Sequence, residues 1–182
     1  MGTDKAFVML DGRTLLARAL QLCRTVAKDV RIVGDAKKFA PFAPVVEDLF
    51  PGCGPLGGIH AALRASQTDF NFVLAVDLPF VTSAILRFLV AEAKASGALV
   101  TVPRADGRWQ PLCAVYRRAF VDLAEKALCE RRCKIDTLFS AAAVHVVEEH
   151  RLLAAGFTPQ AFRNLNTPEE LAQARNSYSV ET

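Results

Sequence analysis

The stretch Phe70-Asn71-Phe72-Val73-Leu74-Ala75-Val76 constrains this chain more than any other. It is strand-length, and it carries apolar side chains at both odd and even positions. A strand with one face in water alternates apolar and polar residues. This run does not alternate, so both of its faces must be covered. Covering two faces of a sheet takes helices on both sides, and the rest of the chain supplies them. Short β-rich runs at 7–10, 30–33, 45–46, 98–102, 111–116 and 143–147 alternate with helical segments, the pattern of an α/β sheet with crossover helices.

Helices are expected over residues 14–24, 59–66, 83–95, 119–128 and 135–140. In the first, Leu15, Leu16, Ala19, Leu20 and Cys23 recur at helical spacing. Ser83 is the expected cap of the third. Asp11-Gly12 and Gly34-Asp35 read as turns, and Pro103 reads as the end of a strand. Near the C-terminus Thr167 reads as a cap, Pro168 as the first helical residue, and Glu169-Glu170 as the first turn.

Composition decides whether such a sheet can be buried. With 182 residues and 52% hydrophobic content the chain suits one domain with a substantial core, and it is not a disordered sequence. The net charge of +3 suits an anionic small molecule but falls short of the dense Lys/Arg patches of a nucleic-acid binder. No basic stretch followed by an apolar one marks a secretory leader, and no run of about 18 apolar residues marks a membrane span. A reducing cytoplasmic setting is expected, with no nucleic-acid or membrane partner. The five cysteines are scattered and odd in number, which argues against a disulfide framework. Cys129 and Cys133 read as one helical turn apart in CERRC. His60, His145 and His150 show no zinc spacing beside them. The basic cluster CERRCK reads as a solvated helix face.

The chemistry has few places to sit. In VLAVDLPF, Asp77 closes the apolar strand, and open α/β sheets bind ligands at the carboxyl ends of their strands. A carboxylate so close to the core needs a counter-charge, which Mg²⁺ carried by a nucleotide would supply; a turn-capping Asp is the plainer alternative. In GCGPLGGIHAAL the glycines admit backbone amides to a ligand and the helix behind them presents its positive end. The spacing is neither a Walker A loop nor a dinucleotide fingerprint, and taken by itself the glycine cluster is better explained as a surface turn. Lys5 is either solvated or part of a phosphate-binding loop. Asn164 and Asn166 are either helix caps or, through a side-chain oxygen, ligands that complete a magnesium shell. No Ser/His/Asp triad can be assembled.

Five segments nevertheless occur in a telling order: MGTDKA, VVEDLFPGCGPLGGIHAAL, VLAVDLPFV, GRWQPLCAVYRR and NLNTPEEL. Together they resemble the molybdenum cofactor guanylyltransferases, within the MobA-like NTP transferase family, over nearly the whole chain. GPLGGI, QPLCAVYRR and NLNTPEEL are the most discriminating. The resemblance implies a Rossmann-like three-layer α/β/α nucleotidyltransferase fold with a mostly parallel sheet. It implies transfer of GMP from GTP to molybdopterin with release of pyrophosphate, and Mg²⁺ as the metal. GTP and molybdopterin would be the substrates, and cofactor-assembly proteins and molybdoenzyme chaperones the protein partners. A cytidylyltransferase or sugar-phosphate enzyme of the same fold, or a non-catalytic binding module, stays open as an alternative.

The resemblance also assigns residues. Lys5 corresponds to a lysine on the nucleotide phosphates, Gly34 to a nucleotide contact at a strand end, and Asp48 to an acid on the nucleoside. Gly54, Pro55, Leu56, Gly57 and Gly58 correspond to the loop beside the guanine. Asp77 corresponds to the magnesium ligand and Asn166 to an asparagine near the metal and the pterin phosphate. Arg104, Arg108 and Gln110 fall in the stretch expected to face the pterin. Family members begin with a strand and a Leu-Ala-Gly-Gly loop before Arg-Met-Gly-x-Asp-Lys-Ala, and this sequence opens at that Met. Absence of the first strand and most of the phosphate loop is therefore expected, with weak activity as its consequence.

Overall fold

The computed structural model of the chain describes residues 4–140 and 142–165. The expected cap at Thr167 and the helix start at Pro168 to Glu170 lie outside the described residues, as does Asn166.

The apolar run forms β5 (Phe70–Leu74), which pairs antiparallel with β8 (Cys113–Arg117). β8 pairs antiparallel with β6 (Val100–Ala105), and β6 runs parallel to β9 (Val144–Val147). Along β8 the side chains alternate between two cores. Ala114 and Tyr116 join Val100 and Val102 against α3 (Gly54–Ala65) and α5 (Phe120–Cys129). Cys113 and Val115 join Ala105 and Val147 against α4 (Ser83–Ser96) and α6 (Glu149–Ala154). This period of two is what places helices on both faces and makes three layers. Burying a large apolar side chain stabilises by about 1.5–3 kcal/mol. Leu56, Ile59, Leu63, Ile85, Leu86 and Leu89 are fully buried on the inner faces of α3 and α4. Tyr116 is buried without an orphaned hydroxyl, because it donates to the Pro111 carbonyl at 2.7 Å.

A hairpin leads into the first helix. β1 (Met9–Leu10) and β2 (Arg13–Thr14) turn on Asp11 and Gly12, at φ 48° and 74°. This is the Asp-Gly chemistry that a two-residue hairpin needs. Thr14 then caps α1 (Leu15–Arg24), accepting from the Ala17 N–H at 3.1 Å. β3 (Ile32–Val33) and β4 (Val45–Val46) form a separate parallel pair, with α2 (Ala36–Phe39) between them in sequence. β7 (Arg108–Trp109) folds back antiparallel on β6. The strand directions are thus mixed, parallel in β3–β4 and β6–β9 and antiparallel around β8.

Several boundaries differ from the expected ones. α3 begins at Gly54 rather than Ile59, because Pro55 is preorganised for a first helical turn and Leu56 anchors that turn in the core. α4 is capped by Thr82, whose hydroxyl accepts from Ile85 N–H at 3.4 Å, and ends on Gly97 in the left-handed region. Pro103 lies inside β6 opposite Val147. Its missing N–H is tolerated because its carbonyl carries the pairing onward, accepting from Gln110 N–H at 3.0 Å. The helix expected over 135–140 is a short 3₁₀ helix, Ile135–Leu138.

CERRC is not one helical turn. α5 stops at Cys129, and Arg131 at φ 58° reverses the chain. Arg132 N–H closes on the Ala127 carbonyl at 2.8 Å. Cys133 is thereby turned away from Cys129 and is bonded to Cys53, with Cα atoms 4.9 Å apart. An odd count argues against a framework of several bridges but cannot exclude one. Cys23, Cys113 and Cys129 are free thiols. No helix among the described residues is long and apolar enough to cross a membrane.

Candidate functional site

Lys5 opens a 3₁₀ turn, Lys5–Phe7, that Asp4 sets by accepting from Ala6 N–H at 2.9 Å. The buried methyl of Ala6 holds this turn against Leu16 and Leu20 of α1. The other carboxylate oxygen of Asp4 takes the ammonium of Lys38 from α2. That pairing, with the Ala6 amide, holds the Asp4 carboxyl below the usual carboxylate range. It also ties the Lys5 turn to the element that follows Gly34.

Asp77 stands where the apolar run ends. The β5–β8 ladder reaches Leu74 opposite Cys113, and Ala75 N–H adds one more bond to the Leu112 carbonyl at 2.7 Å. The chain then turns, and the Asp77 carbonyl accepts from Leu165 N–H at 3.0 Å. Leu165 is buried with Leu10 and Leu15, so a packed anchor fixes the backbone at Asp77. The side chain remains 20% exposed, and Oδ2 lies 3.2 Å from the Lys5 ammonium. Of the residues assigned to phosphate and metal chemistry, the fold thus brings Lys5 and Asp77 into direct contact. Asn164 and Leu165 carry the chain back to the same point.

Among the described residues, the carboxylate that would hold a metal here is that of Asp77. No group of three or more His, Cys, Asp or Glu side chains suited to a metal exists among the described residues. A hard oxygen donor at a partly open strand end, paired here with the Lys5 ammonium, suits Mg²⁺. That ion keeps several waters and draws its other ligands from substrate phosphates.

The second group of assigned residues gathers around the start of α3. Asp48 follows β4, and its Oδ1 accepts from Phe50 N–H at 2.8 Å. A Cβ on Gly57 would stand 2.7 Å from Asp48 Oδ2 and 2.8 Å from Oδ1, so this carboxylate can lie against the helix only because residue 57 has no side chain. The position is electrostatically apt, since the first turn of a helix presents unpaired N–H groups and the positive dipole end. A Cβ on Gly58 would rest 3.6 Å from Val33 of β3, an ordinary contact. Gly34 is a packing glycine. Its N–H is committed to the Val46 carbonyl at 3.0 Å, and a Cβ there would press on the Phe39 ring at 3.0 Å. Leu56 points into the core and offers a ligand no side-chain contact.

Arg104, Arg108 and Gln110 lie in the β6–β7 hairpin. The Arg104 guanidinium sits 5.7 Å from the Trp109 ring and 3.9 Å from Glu148, held within and beside its own hairpin. Arg108 is exposed.

The anchors were not singled out from sequence. The Asp4–Lys38 pair and the Leu165–Asp77 bond join residues far apart in the chain, and only Asp4, a capping-type residue before Lys5, carries a local signal.

Comparison with known proteins bears on this geometry. Residues 1–157 match the model of a family described as the MobA-like NTP transferase domain. The chain is 34% identical over 175 residues to the molybdenum cofactor guanylyltransferase of Desulfosudis oleivorans, an alignment covering 95% of this chain and 86% of that protein. It is 33% identical over 179 residues to that of Vibrio atlanticus, covering 94% and 87%. The crystal structure of molybdopterin-guanine dinucleotide biosynthesis protein A from Archaeoglobus fulgidus superposes with a TM-score of 0.84 at 29% identity, over 98% of this chain and 92% of that one. The 2-C-methyl-D-erythritol 4-phosphate cytidylyltransferase of Thermus thermophilus shares the fold, with a TM-score of 0.72 at 20% identity over 96% and 93% of the two chains.

Proposed function

The chain belongs to the MobA-like NTP transferase family, and from that membership we propose that it transfers GMP from GTP to molybdopterin, with Lys5 and Asp77 at the reacting centre. The observation that carries this reading is the 3.2 Å contact between Lys5 and Asp77 just past the end of β5.

The reaction attacks the α-phosphorus of GTP with a phosphate oxygen of the pterin, and pyrophosphate leaves. The attacking group is already an anion, so no general base is required. The barrier lies in bringing anions together in line, and fixed positive charge lowers it. Lys5 supplies one such charge on a turn anchored by Ala6. Before substrate arrives, its ammonium and the Asp77 carboxylate neutralise each other. With nucleotide and magnesium bound, each would have a new counter-charge: Lys5 would pair with phosphate oxygens, and Asp77 is the residue that would hold the cation. Mg²⁺ in that position would screen the triphosphate and orient it for attack. Gly54, Pro55, Gly57 and Gly58 at the start of α3 face the base through their backbone, with Asp48 beside them accepting from nucleoside donors. The resemblance assigns Asn166, which lies outside the described residues, to the metal and the pterin phosphate. The cytoplasmic setting and hand-over of product to cofactor-assembly proteins and molybdoenzyme chaperones belong to the same proposal.

β5 ends the five-stranded sheet, laddered to β8. Beside it a cavity of about 520 Å³ is lined by Leu15, Ala19 and Leu22 of α1 and by Leu74, Val76 and Leu78. A further strand along β5 would fill that cavity, and a Leu-Ala-Gly-Gly turn following it would aim backbone amides at the triphosphate.

Pyrophosphate release from GTP, molybdopterin and Mg²⁺ tests the function. Turnover with GTP exceeding that with CTP is expected. A preference for CTP would move the chain to the cytidylyl reaction, and no release with either nucleotide would overturn the enzymatic reading.

A further inference from the structure

Cys53 and Cys133 stand 80 residues apart in sequence and 4.9 Å apart at Cα, where they are bonded to each other. Cys53 occupies the N-cap position of α3, and its side chain makes no capping hydrogen bond. Glycines at φ 89° and 57°, Gly52 and Gly54, flank it. The start of α3 therefore lacks the usual polar cap and sits between two residues of wide conformational freedom. Farther along, α3 is tied to α5 by Arg64 and Glu125 at 2.9 Å and by the apolar core. The bridge is the covalent tie at the end where Asp48 lies against Gly57. Both cysteines are partly exposed, so small thiols and disulfides can reach them.

We propose that Cys53 and Cys133 form a reversible redox latch that sets the affinity of the α3 N-terminal loop for nucleotide. This rests on the reading of Gly54 to Gly58 as facing the base. In the bonded form the loop is preorganised and GTP binds without first ordering it. In the dithiol form the Gly52-Cys53-Gly54 segment moves, and binding must supply that order. The oxidant is a low-molecular-weight disulfide. One cysteine thiolate attacks it, forming a mixed disulfide and expelling one small thiolate. The second cysteine then attacks the protein sulfur of the mixed disulfide, closing the Cys53–Cys133 bond and expelling the other small thiolate. Two electrons leave the protein, and its two thiol protons end on the small thiols.

The test equilibrates the chain with oxidised or reduced glutathione, counts free thiols by maleimide labelling and intact mass, and titrates Mg-GTP calorimetrically. The oxidised chain is expected to label two fewer cysteines than the reduced chain and to bind GTP about three- to tenfold more tightly. Cys133→Ser, which leaves the loop's own sequence untouched, is expected to keep the reduced-form affinity in both buffers. Equal, measurable affinities in the two states overturn the latch alone, as does full labelling of both cysteines in oxidised buffer. A redox response retained by Cys133→Ser does the same. No GTP binding in either state overturns the nucleotide-loop reading, and the latch with it.

Discussion

Lys5 Nζ and Asp77 Oδ2 lie 3.2 Å apart across a sequence separation of 72 residues. Their side chains are 39% and 20% exposed, so the pair contributes little to folding, since exposed ion pairs are worth about 0–1 kcal/mol. On the proposed reading its weight lies in the chemistry, so stability and activity should separate on mutation. Asp77→Asn and Asp77→Ala are expected to lower kcat by roughly two to three orders of magnitude, the scale of a lost electrostatic contact to the transition state. Tm should move by no more than about 2 °C. Magnesium-dependent pyrophosphate release at the wild-type rate by either variant would refute the role given to Asp77.

The Asp48–Gly57 approach makes a second prediction. A methyl at 57 would stand 2.7 Å from the carboxylate, so Gly57→Ala must displace Asp48. GTP affinity should fall about tenfold, roughly 1.4 kcal/mol. In Asp48→Ala the clash has nothing to displace, and adding Gly57→Ala should cost little more. Strongly sub-additive losses in a double-mutant cycle measured by calorimetry are expected, and additive losses would show that the two positions act independently.

His60 is fully buried on α3, and both ring nitrogens lack a hydrogen-bond partner. The Phe50 ring packs edge-on 5.1 Å away, and the Glu125 carboxylate stays 4.0 Å from Nε2. Desolvation holds the imidazole below its usual pKa, against the opposing pull of Glu125. Native His60 stays neutral at a pH where the unfolded chain, with an ordinary value near about 6.5, takes up a proton. Unfolding therefore binds a proton as pH falls below about 6.5, and stability drops there. His60→Leu should flatten this acid limb and add about 1 kcal/mol near neutrality by removing unsatisfied polar atoms. Urea melts of both proteins at about pH 5 and about pH 8 measure it. An unchanged pH slope would acquit His60.

The edge of β5 away from β8, unpaired among the described residues, makes a fourth. Appending a strand and a Leu-Ala-Gly-Gly turn ahead of Met1 should fill the cavity beside α1, raise Tm and tighten GTP binding. Calorimetry showing equal GTP affinity with and without the addition would contradict the proposed role of that edge.

Much of the scaffold was legible in the sequence because its signals are local. The run at 70–76, apolar except for Asn71, pointed to a buried central strand; β5 does pack side chains on both cores, but it lies at the edge of the sheet and its five residues stay half-buried. Leu15, Leu16 and Leu20 marked the buried face of α1, and Asp11-Gly12 marked a turn, though not the hairpin that β1 and β2 build on it. Errors arose where one local signal hid another. The glycines of 54–58 read as a loop, yet Pro55 and a core-facing Leu56 make them the first turn of α3. CERRC read as a helical turn, yet Arg131 adopts the left-handed conformation and ends α5 before Cys133.

The amino-acid sequence alone determined the α/β character, the cores on both sides of the sheet and the residue types available for phosphate chemistry, because periodicity and side-chain chemistry are properties of neighbours in the chain. Which of those residues meet was decided only by the tertiary structure. Lys5 reaches Asp77, Asp48 rests on Gly57, Leu165 holds the backbone of Asp77 and Cys53 bonds Cys133 because β-pairing and helix packing bring distant segments to a common place. No periodicity encodes such distances: a contact across 72 or 80 residues exists only once the layers between them are packed.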